Sequence, residues 1–408
     1  MNYIEKQVEN GLKINIKIIG VGGGGGNMLS YFYKTYMQDK IDISGVEYIS
    51  MNTDAEVLAS QAKEIDPLQL GPATCKGMGA GMKPEVAAEA VVESTEEIKE
   101  KLEGADLVFL ATGLGGGTGS GAIAPIAQIC QDVGAITVAV VTTPFSFEAR
   151  KRTKIAKESL ENLKKSVNSL IIIDNNKIEE HAPEDIGMKD AFNMADEVLA
   201  NAINGILNIV LRSGVDSINI DFADLRTALN NSGQALISTG YSQGENAAEN
   251  AVRDALTNPL LETNDIFGCK GMIVNWTINP KYSFKAVNRA TDFIYDQSGG
   301  DDNDLEIILG INYDETVSTE EVNVTILATG FVNRDEMTKE NNDKVSEQLK
   351  NDTVSTRNQA TSISAEILNV PSKHNNEPLK IRIDETTTRD EKRNDGFDLF
   401  ATFKKRNS

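Results

Sequence analysis

An α/β fold class is predicted, with a parallel sheet in the first domain, a long central helix, a second and smaller α/β domain with a mixed sheet, and a disordered C-terminal tail. Three observations lead to it. An apolar run is followed by a glycine-rich loop and a helical pattern twice, at residues 15–37 and 107–133. The longest helical pattern, Asp190–Leu211, is apolar on much of its surface, as expected of a buried helix. Beyond residue 333 the chain is polar and its apolar residues lose their periodicity.

Length, charge and cysteine usage limit the class of protein. The 408 residues suffice for two domains of ordinary size. The net charge of −21 argues against nucleic acid as the main partner, and it argues against binding to anionic lipid by electrostatic attraction alone. Cys75, Cys130 and Cys269 show neither metal-ligand spacing nor a disulfide framework. No signal peptide opens the chain and no run of about 18 apolar residues suggests a membrane span, so we expect a cytoplasmic protein.

The first strand–loop–helix unit carries the dinucleotide-binding pattern. Strand Asn15–Ile19 runs into Gly20-x-Gly22-x-x-Gly25, and helix Met28–Met37 follows. An NAD enzyme of the Rossmann type needs an acidic residue about 20 positions further on, at the end of the next strand. That strand, Val46–Met51, is followed by Asn52-Thr53-Asp54, so the acid comes later than expected. The pattern alone is weak, and an NAD-dependent oxidoreductase stays an alternative.

A third glycine-rich stretch lies between the two units, at Lys76–Gly81. Pro84 follows at a favoured helix start, and Glu85–Leu102 is predicted to be one polar amphipathic helix. Without other observations the stretch fits an ordinary flexible loop equally well.

A further glycine-rich loop follows strand Leu107–Ala111 and precedes helix Ala122–Val133. Its glycines are Gly113, Gly115, Gly116, Gly117, Gly119 and Gly121. This arrangement aims backbone N–H groups and a helix N-terminus at one point, which favours an anion such as phosphate, and the hydroxyls of Thr118 and Ser120 add donors. No Lys follows the last glycine, so the loop is not a Walker A motif. A turn without a ligand needs fewer glycines, and two such loops in one domain fit a nucleotide with a chain of phosphates better than NAD.

Strands Ala135–Thr142 and Ser169–Asp174 continue the first domain, with Glu148 and Arg152 between them. A spacing of four residues predicts that both side chains lie on one helical face. The alternative is a surface ion pair of little energetic value.

The long helix carries an aromatic residue and an acid four positions apart, Phe192 and Asp196. An aromatic face can stack on a base. A carboxylate can accept hydrogen bonds from both N1–H and the exocyclic amine of guanine, and adenine offers no such donor pair. The alternative is a core phenylalanine beside a solvated helix charge.

An acidic pattern, Asn219-Ile-Asp221-Phe-Ala-Asp224, leads into a helix predicted for Leu225–Asn231. Asp221 fits an N-cap, and Asp224 fits the third helical position, where the helix dipole favours an acid. Capping alone would explain both residues.

The second domain is predicted to have a mixed sheet of about four strands. Helices are predicted for Ser242–Thr257 and Phe284–Gln297. The predicted strands are Gly271–Ile278, Glu306–Asn312 and Val322–Thr329.

The last 75 residues or so divide into two segments. Residues 334–394 are polar without period and predict a disordered linker. Asp395–Arg406 has three phenylalanines and a leucine before a basic end, which is typical of a short peptide that binds a partner groove. The alternative is a frayed tail.

The ordered run Gly-Gly-Gly-Thr-Gly-Ser-Gly at 115–121 resembles the phosphate-loop signature of the tubulin and FtsZ family of polymerising GTPases. GVGGGGGN at 20–27 and NTDA at 52–55 resemble its first two nucleotide loops, and NxDxxD at 219–224 resembles its catalytic loop. The similarity covers roughly residues 14–332, with a weak match at the last dozen. The family usually has Pro-Asn-Asp where this chain has Asp174-Asn175-Asn176, and the C-terminal peptide lacks the usual Ile-Pro.

The resemblance implies five segments: a GTP-binding domain at 1–189, a connecting helix at 190–213, an activation and polymerisation domain at 214–333, a linker at 334–394 and a partner-binding peptide at 395–408. It implies GTP or GDP as ligand and Mg²⁺ as cation, with no metal site fixed by protein ligands alone. The residues that it assigns to the nucleotide are Gly22, Gly23, Gly24, Gly25, Gly26, Asn27, Asn52, Asp54, Gly79, Ala80, Gly81, Gly115, Gly116, Gly117, Thr118, Gly119, Ser120, Gly121, Pro144, Glu148, Arg152, Asn175, Phe192 and Asp196.

Catalysis and partners follow from the same resemblance. Asn219, Asp221 and Asp224 match the loop that one subunit inserts into the nucleotide site of its neighbour, where carboxylates position water and help to hold the cation. The chain has only two histidines, neither in a convincing motif, which leaves carboxylates for acid–base work.

The implied protein polymerises head to tail and forms the cell-division ring at mid-cell. It recruits a membrane adaptor and other division proteins through residues 395–408, without a nucleic-acid partner and without inserting into the membrane. A non-hydrolysing filament scaffold of the same fold is the remaining alternative, and the intact Asp221 and Asp224 argue against it.

Overall fold

A computed structural model describes residues 14–37, 45–211, 217–230, 233–257, 266–299 and 305–331. The predicted linker and the predicted C-terminal peptide lie outside these residues. The domain boundaries given above stay predictions.

The first sheet is parallel throughout. Its strands are β1 (Ile16–Val21), β2 (Val46–Asn52), β3 (Asp66–Gln69), β4 (Leu107–Gly113), β5 (Ile136–Thr143), β6 (Ser169–Asp174) and β7 (Gly233–Gln234). Their order in the sheet is β3-β2-β1-β4-β5-β6-β7. Strand order reverses between β1 and β4, so the loops that follow these two neighbours open side by side at the carboxyl end of the sheet.

Helices connect these strands and join the two sheets. They are α1 (Gly22–Phe32), α2 (Ala55–Ala59), α3 (Pro72–Cys75), α4 (Pro84–Glu93), α5 (Thr95–Leu102), α6 (Thr118–Asp132), α7 (Arg150–Leu163), α8 (Asn175–His181), α9 (Met188–Leu211), α10 (Phe222–Leu229), α11 (Ala247–Leu256) and α12 (Phe284–Ser298). A π-helical turn, Tyr33–Met37, extends α1, and a 3₁₀ turn, Ser146–Glu148, precedes α7. Helices α4 to α7 share one apolar core with the first sheet.

The second sheet is mixed and four-stranded, as predicted. Its strands are β8 (Leu236–Gln243), β9 (Gly271–Ile278), β10 (Glu306–Tyr313) and β11 (Glu321–Thr329). The order is β10-β9-β11-β8, with β10 parallel to β9 and the other pairs antiparallel. Helices α11 and α12 cover one face around the fully buried Trp276.

The central helix α9 connects the two sheets. It contacts α1 and β5 on one side and β8 on the other. By length and composition α9 is the one helix in the described part of the chain that could cross a membrane. Residues such as Leu199, Ile203 and Ile206 are buried in the protein, so its place in the core accounts for its apolar character.

Several predicted boundaries were wrong, each for a packing reason. The single helix over Glu85–Leu102 is two helices, because buried Ser94 leaves helical geometry and its Oγ accepts the Gly71 N–H at 2.9 Å. The helix predicted from Ser242 begins only at Ala247, since the preceding residues pair with β11 as strand β8.

Helices α1 and α6 begin earlier than predicted, inside the glycine runs at Gly22 and Thr118. Glycine has a poor helix propensity. These turns therefore depend on close contact with the sheet rather than on local preference. Strands β3, β7 and β8 were not predicted; β3 and β7 are too short to show a period.

Candidate nucleotide-binding site

The two glycine loops predicted to bind phosphates lie against each other. A Cβ placed on Gly22 would come within 2.9 Å of the Gly119 nitrogen, and one on Gly24 within 3.0 Å of the Gly113 nitrogen. The N-termini of α1 and α6 therefore converge at the carboxyl end of β1 and β4. The free N–H groups of two helix starts in one place make this an anion site.

The glycines of these loops fall into two groups by their surroundings. Most lie so close to backbone that a side chain has no room: a Cβ on Gly25 would be 2.2 Å from Ala111 O, and one on Gly121 would be 2.0 Å from Pro84 O. Gly23 and Gly116 have nothing within 4 Å of that position. The first group holds helix against sheet, and the second leaves open space beside the backbone for a ligand.

Hydroxyl groups brace the central loop. Ser120 Oγ accepts the Gly115 N–H at 2.8 Å, and Ser159 Oγ on α7 donates to the Ser120 carbonyl at 2.8 Å. Thr118 Oγ1 lies 2.6 Å from Thr53 Oγ1, which connects the loop to the end of β2. The loop is thus held from several sides before any ligand binds.

The third glycine-rich stretch joins the same site rather than lying free. Gly79 N–H donates to the Thr53 carbonyl at 3.1 Å, and Asp54 forms an isolated bridge with Met78. Asp54 also caps α2 by accepting the N–H groups of Glu56 and Val57. At the other end of this glycine-rich stretch, the Met82 nitrogen lies 3.0 Å from a Cβ placed on Gly117. Three loops, including the predicted Asn52, Ala80 and Gly81, therefore surround one space.

Glu148 and Arg152 form an ion pair in which Arg152 Nη1 donates to Glu148 Oε2. The prediction that they share one helical face was wrong. Glu148 ends the 3₁₀ turn, and Ala149, with a φ of +82°, separates it from α7. Arg152 nevertheless reaches the central loop, because its Cβ is 3.0 Å from a Cβ placed on Gly115.

The predicted base-binding pair lies near the start of α9. Phe192 is 41% exposed and meets Phe145 edge-on, with ring centroids 5.4 Å apart. Asp196 lies one turn further along, and burial raises the pKa of its carboxyl to about 7. Asn27 is exposed on α1, which packs against α9.

Two aromatic residues at this end were not predicted. Phe147 stacks on Phe145 at 5.2 Å and meets Phe192 edge-on at 6.4 Å. Tyr31, one turn after Asn27, hydrogen-bonds to Glu197; burial and then this carboxylate raise the pKa of Tyr31 to about 12. Tyr31 could have been predicted from the sequence, because a step of four residues places it on the same helical face as Asn27.

Comparison with known proteins shows the family of the chain. Residues 15–183 match the profile of the Tubulin/FtsZ family, GTPase domain, and residues 233–332 match that of the FtsZ family, C-terminal domain. The chain is 43% identical over 316 residues to the cell division protein FtsZ of Pseudomonas aeruginosa, covering 78% of this chain and 77% of the relative. This chain belongs to the FtsZ family.

Other members of the FtsZ family agree in sequence and structure. The protein of Azotobacter vinelandii is 42% identical over 320 residues, covering 78% of each chain. The M. jannaschii FtsZ dimer has a TM-score of 0.69 at 36% identity, covering 81% of this chain and 93% of that one. CetZ2 from Haloferax volcanii, at 19% identity and a TM-score of 0.65, shows the fold alone.

FtsZ family membership makes the first sheet and its loops a GTPase domain that binds GTP and GDP. It favours guanine nucleotide over the NAD alternative. One polar atom at the site fits a ligand with hydroxyl groups: Asn175 is 5% exposed, and its buried Oδ1 has no hydrogen-bond partner within the described residues. Pro144 is buried nearby at the end of β5.

The predicted catalytic residues of this FtsZ-family chain lie away from the glycine loops. Asp221 caps α10 by accepting the Asp224 N–H at 2.8 Å, so the predicted capping is present. The preceding Ile218 pairs with Ile311 of β10. Helix α10 ends at the amino end of β6, where Ser169 Oγ donates to Leu229 O at 2.8 Å.

No group of three or more His, Cys, Asp or Glu side chains that could hold a metal ion occurs in the described ranges.

The glycine loops lie at the carboxyl end of the first sheet, opposite to the amino end of β6 where α10 ends. A strand of six to eight residues spans about 20 Å or more, so the length of the sheet lies between the end of α10, at Leu229, and the loops.

Proposed function

We propose that this chain hydrolyses GTP when it polymerises head to tail, and that each complete site combines the glycine loops of one copy with the acidic loop of the next. The observation that carries this proposal is the position of α10, the helix that Asp221 caps: it ends at the amino end of β6, opposite to the glycine loops at the carboxyl end of the sheet. Two half-sites at opposite ends of one molecule meet only when copies stack in the same direction. Such a contact generates open filaments.

The nucleotide is proposed to lie across the carboxyl end of the first sheet. Its phosphates would occupy the open space beside Gly23 and Gly116, against the N-termini of α1 and α6. Arg152 would supply a positive charge at the same end. Mg²⁺ would be held mainly by the phosphate oxygens, since the described residues offer no acidic cluster for it.

Guanine is proposed to stack on Phe192 and to donate N1–H and its amine to the ionised Asp196. A ribose hydroxyl would donate to the buried, unpartnered Oδ1 of Asn175, which removes the cost of leaving that atom unsatisfied. The remaining predicted contacts, at Asn27 and Pro144, are proposed to border the same space.

Asp221 and Asp224 of the incoming copy are proposed to polarise the attacking water and to help hold the cation. Asp224 is half-buried and Asp221 exposed at the start of α10, a position from which both carboxylates can enter a neighbour's site. The relatives are named cell division protein FtsZ, and the filament of this chain is proposed to form the division ring and to recruit partners through residues 395–408.

A mixing experiment tests the two-copy site. Gly116→Ala fills the open space beside the phosphate loop, and Asp224→Ala removes a carboxylate from the acidic loop, so each variant alone should lose GTP turnover. In an equimolar copolymer roughly a quarter of the contacts join an intact loop to an intact acid, so roughly a quarter of wild-type turnover should return.

The control variant is Asp221→Ser, which keeps an N-cap acceptor but removes the charge. If this variant loses turnover and keeps the wild-type melting temperature, the lost activity comes from the missing carboxylate and not from a lost helix cap. Asp224→Ala should still bind GTP. Mixtures that stay inactive, or turnover proportional to protein at every concentration, would contradict the proposal.

A further inference from the structure

The segment Asp174-Asn175-Asn176, which replaces the family's usual Pro-Asn-Asp, forms a hydrogen-bonded cluster at the end of β6. Asp174 Oδ1 accepts the Thr143 hydroxyl at 3.1 Å, the Asn176 N–H at 3.0 Å and the Asn176 side-chain amide at 2.9 Å. The carboxylate therefore caps α8 and ties the ends of β5 and β6 together. A proline at 174 would supply none of these acceptors.

Asn176 extends this cluster to the turn that follows β5. Its Oδ1 accepts the Ser146 N–H at 2.7 Å while its amide group donates to Asp174. The two partners fix the amide orientation, because an N–H must face oxygen and a carboxylate must face NH₂. A carboxylate at 176 would instead place an unprotonated oxygen against Asp174. Asp174 and Asn176 thus fit each other as a pair.

The turn that Asn176 holds, Ser146–Glu148, touches both ends of the nucleotide site. Toward the base, Phe147 stacks on Phe145 and meets Phe192 edge-on. Toward the phosphates, Glu148 accepts the Phe145 N–H at 3.0 Å and pairs with Arg152, which lies beside Gly115.

Ala149, directly after the turn, has a φ of +82° and a ψ of 143°, a region that residues other than glycine rarely adopt. Such a conformation persists only when its surroundings hold it. The contact from Asn176 to Ser146 supplies part of that support.

We propose that Asp174 and Asn176 are positioning residues. They hold the Ser146–Glu148 turn, and this turn positions Phe192 for the base and Arg152 for the phosphates. The inference rests on the proposed nucleotide site and names the contacts that organise it. Neither side chain needs to touch the nucleotide. The two departures from the family pattern are then one joint adaptation.

Reciprocal variants test the pair. In Asn176→Asp, repulsion from Asp174 should break the contact to Ser146 and weaken GTP binding about tenfold, the size expected for losing one hydrogen bond to a charged group. Asp174→Asn alone should change the affinity little, because the Oδ1 of the new amide can still accept all three hydrogen bonds. The double variant Asp174→Asn with Asn176→Asp restores one amide and one carboxylate, and should recover most of the affinity.

The control is Asn162→Asp, which makes the same chemical change at an exposed position near the end of α7 and should bind GTP as the wild type does. GTP affinity is measured by titration at fixed pH, and melting temperature is measured on the same samples. Recovery in the double variant is the decisive readout, because a general loss of stability would accumulate over two changes rather than cancel.

The possible failures are distinguishable. Wild-type protein that binds no GTP would overturn the proposed function. Wild-type binding with no loss of affinity in Asn176→Asp, or a double variant that binds GTP no better than Asn176→Asp, would overturn only the paired role of Asp174 and Asn176.

Discussion

Substitution of two glycines in the same helical turn should have opposite consequences for folding and for binding. Gly23 and Gly25 both lie in the first turn of α1. A Cβ on Gly25 would be 2.2 Å from Ala111 O, which is 1.2 Å short of the 3.4 Å at which ordinary contact begins. A Cβ on Gly23 meets nothing within 4 Å.

The expected cost of Gly25→Ala follows from what the new methyl group strikes. Its neighbours are backbone atoms of the central strands β1 and β4, which cannot rotate away. Overpacking costs about 1–3 kcal/mol and the upper end applies here, offset by roughly 1 kcal/mol because alanine is the better helix former. A net loss of roughly 2 kcal/mol would lower the melting temperature by roughly 4–8 °C in a domain of this size.

Gly23→Ala should not lower the unfolding free energy and should raise it by up to about 1 kcal/mol, because it creates no clash and alanine is the better helix former. It should nevertheless weaken GTP binding by about tenfold or more, since its methyl group enters the space through which phosphate approaches the backbone. Thermal unfolding of the nucleotide-free protein and GTP titration measure the two effects. A Gly23→Ala protein that binds GTP normally, or a Gly25→Ala protein that melts with the wild type, would refute the division into packing and ligand-facing glycines.

Three further predictions concern the pH dependence that Asp196 causes and the C-terminal tail. Burial raises the pKa of Asp196 to about 7, so GTP affinity should fall about tenfold between pH 8 and pH 6 as the acceptor for guanine becomes protonated, and isothermal titration of Asp196→Asn should show a flat profile instead. Because the folded state holds this proton more tightly than the unfolded state, Asp196 should make the nucleotide-free protein less stable as pH rises from about 4 to about 7, which denaturant unfolding across that range can check. Removing residues 395–408 should leave sedimentable polymer and GTP turnover unchanged while abolishing capture of division partners; loss of the polymer itself would assign the tail a different role.

Local sequence features were sufficient for the order of elements and for several site residues. Alternating strand and helix patterns gave the first sheet, and the four-residue step from Phe192 to Asp196 placed both on one face of α9. The acid–x–x–acid spacing predicted the cap made by Asp221. Each of these depends on residues within one or two turns of each other, so the chain itself carries the information.

Boundaries and breaks were harder to predict. Neither the split at Ser94 nor the strand before Ala247 has a local signal, because a buried hydrogen bond to Gly71 and pairing with β11 decide them. The helical starts at Gly22 and Thr118 contradict glycine's own propensity.

The sequence by itself determined the fold class, and it predicted the loops for phosphate and the residues that read a base. Only the tertiary structure decided which glycines face open space, that Glu148 and Arg152 meet across a break, and that Asn176 holds a turn 30 residues away. It also decided that the helix capped by Asp221 ends at the far end of the sheet from those loops. The physical reason is that strand order and close backbone contact join residues far apart in the chain, and neither is encoded in the pattern of near neighbours.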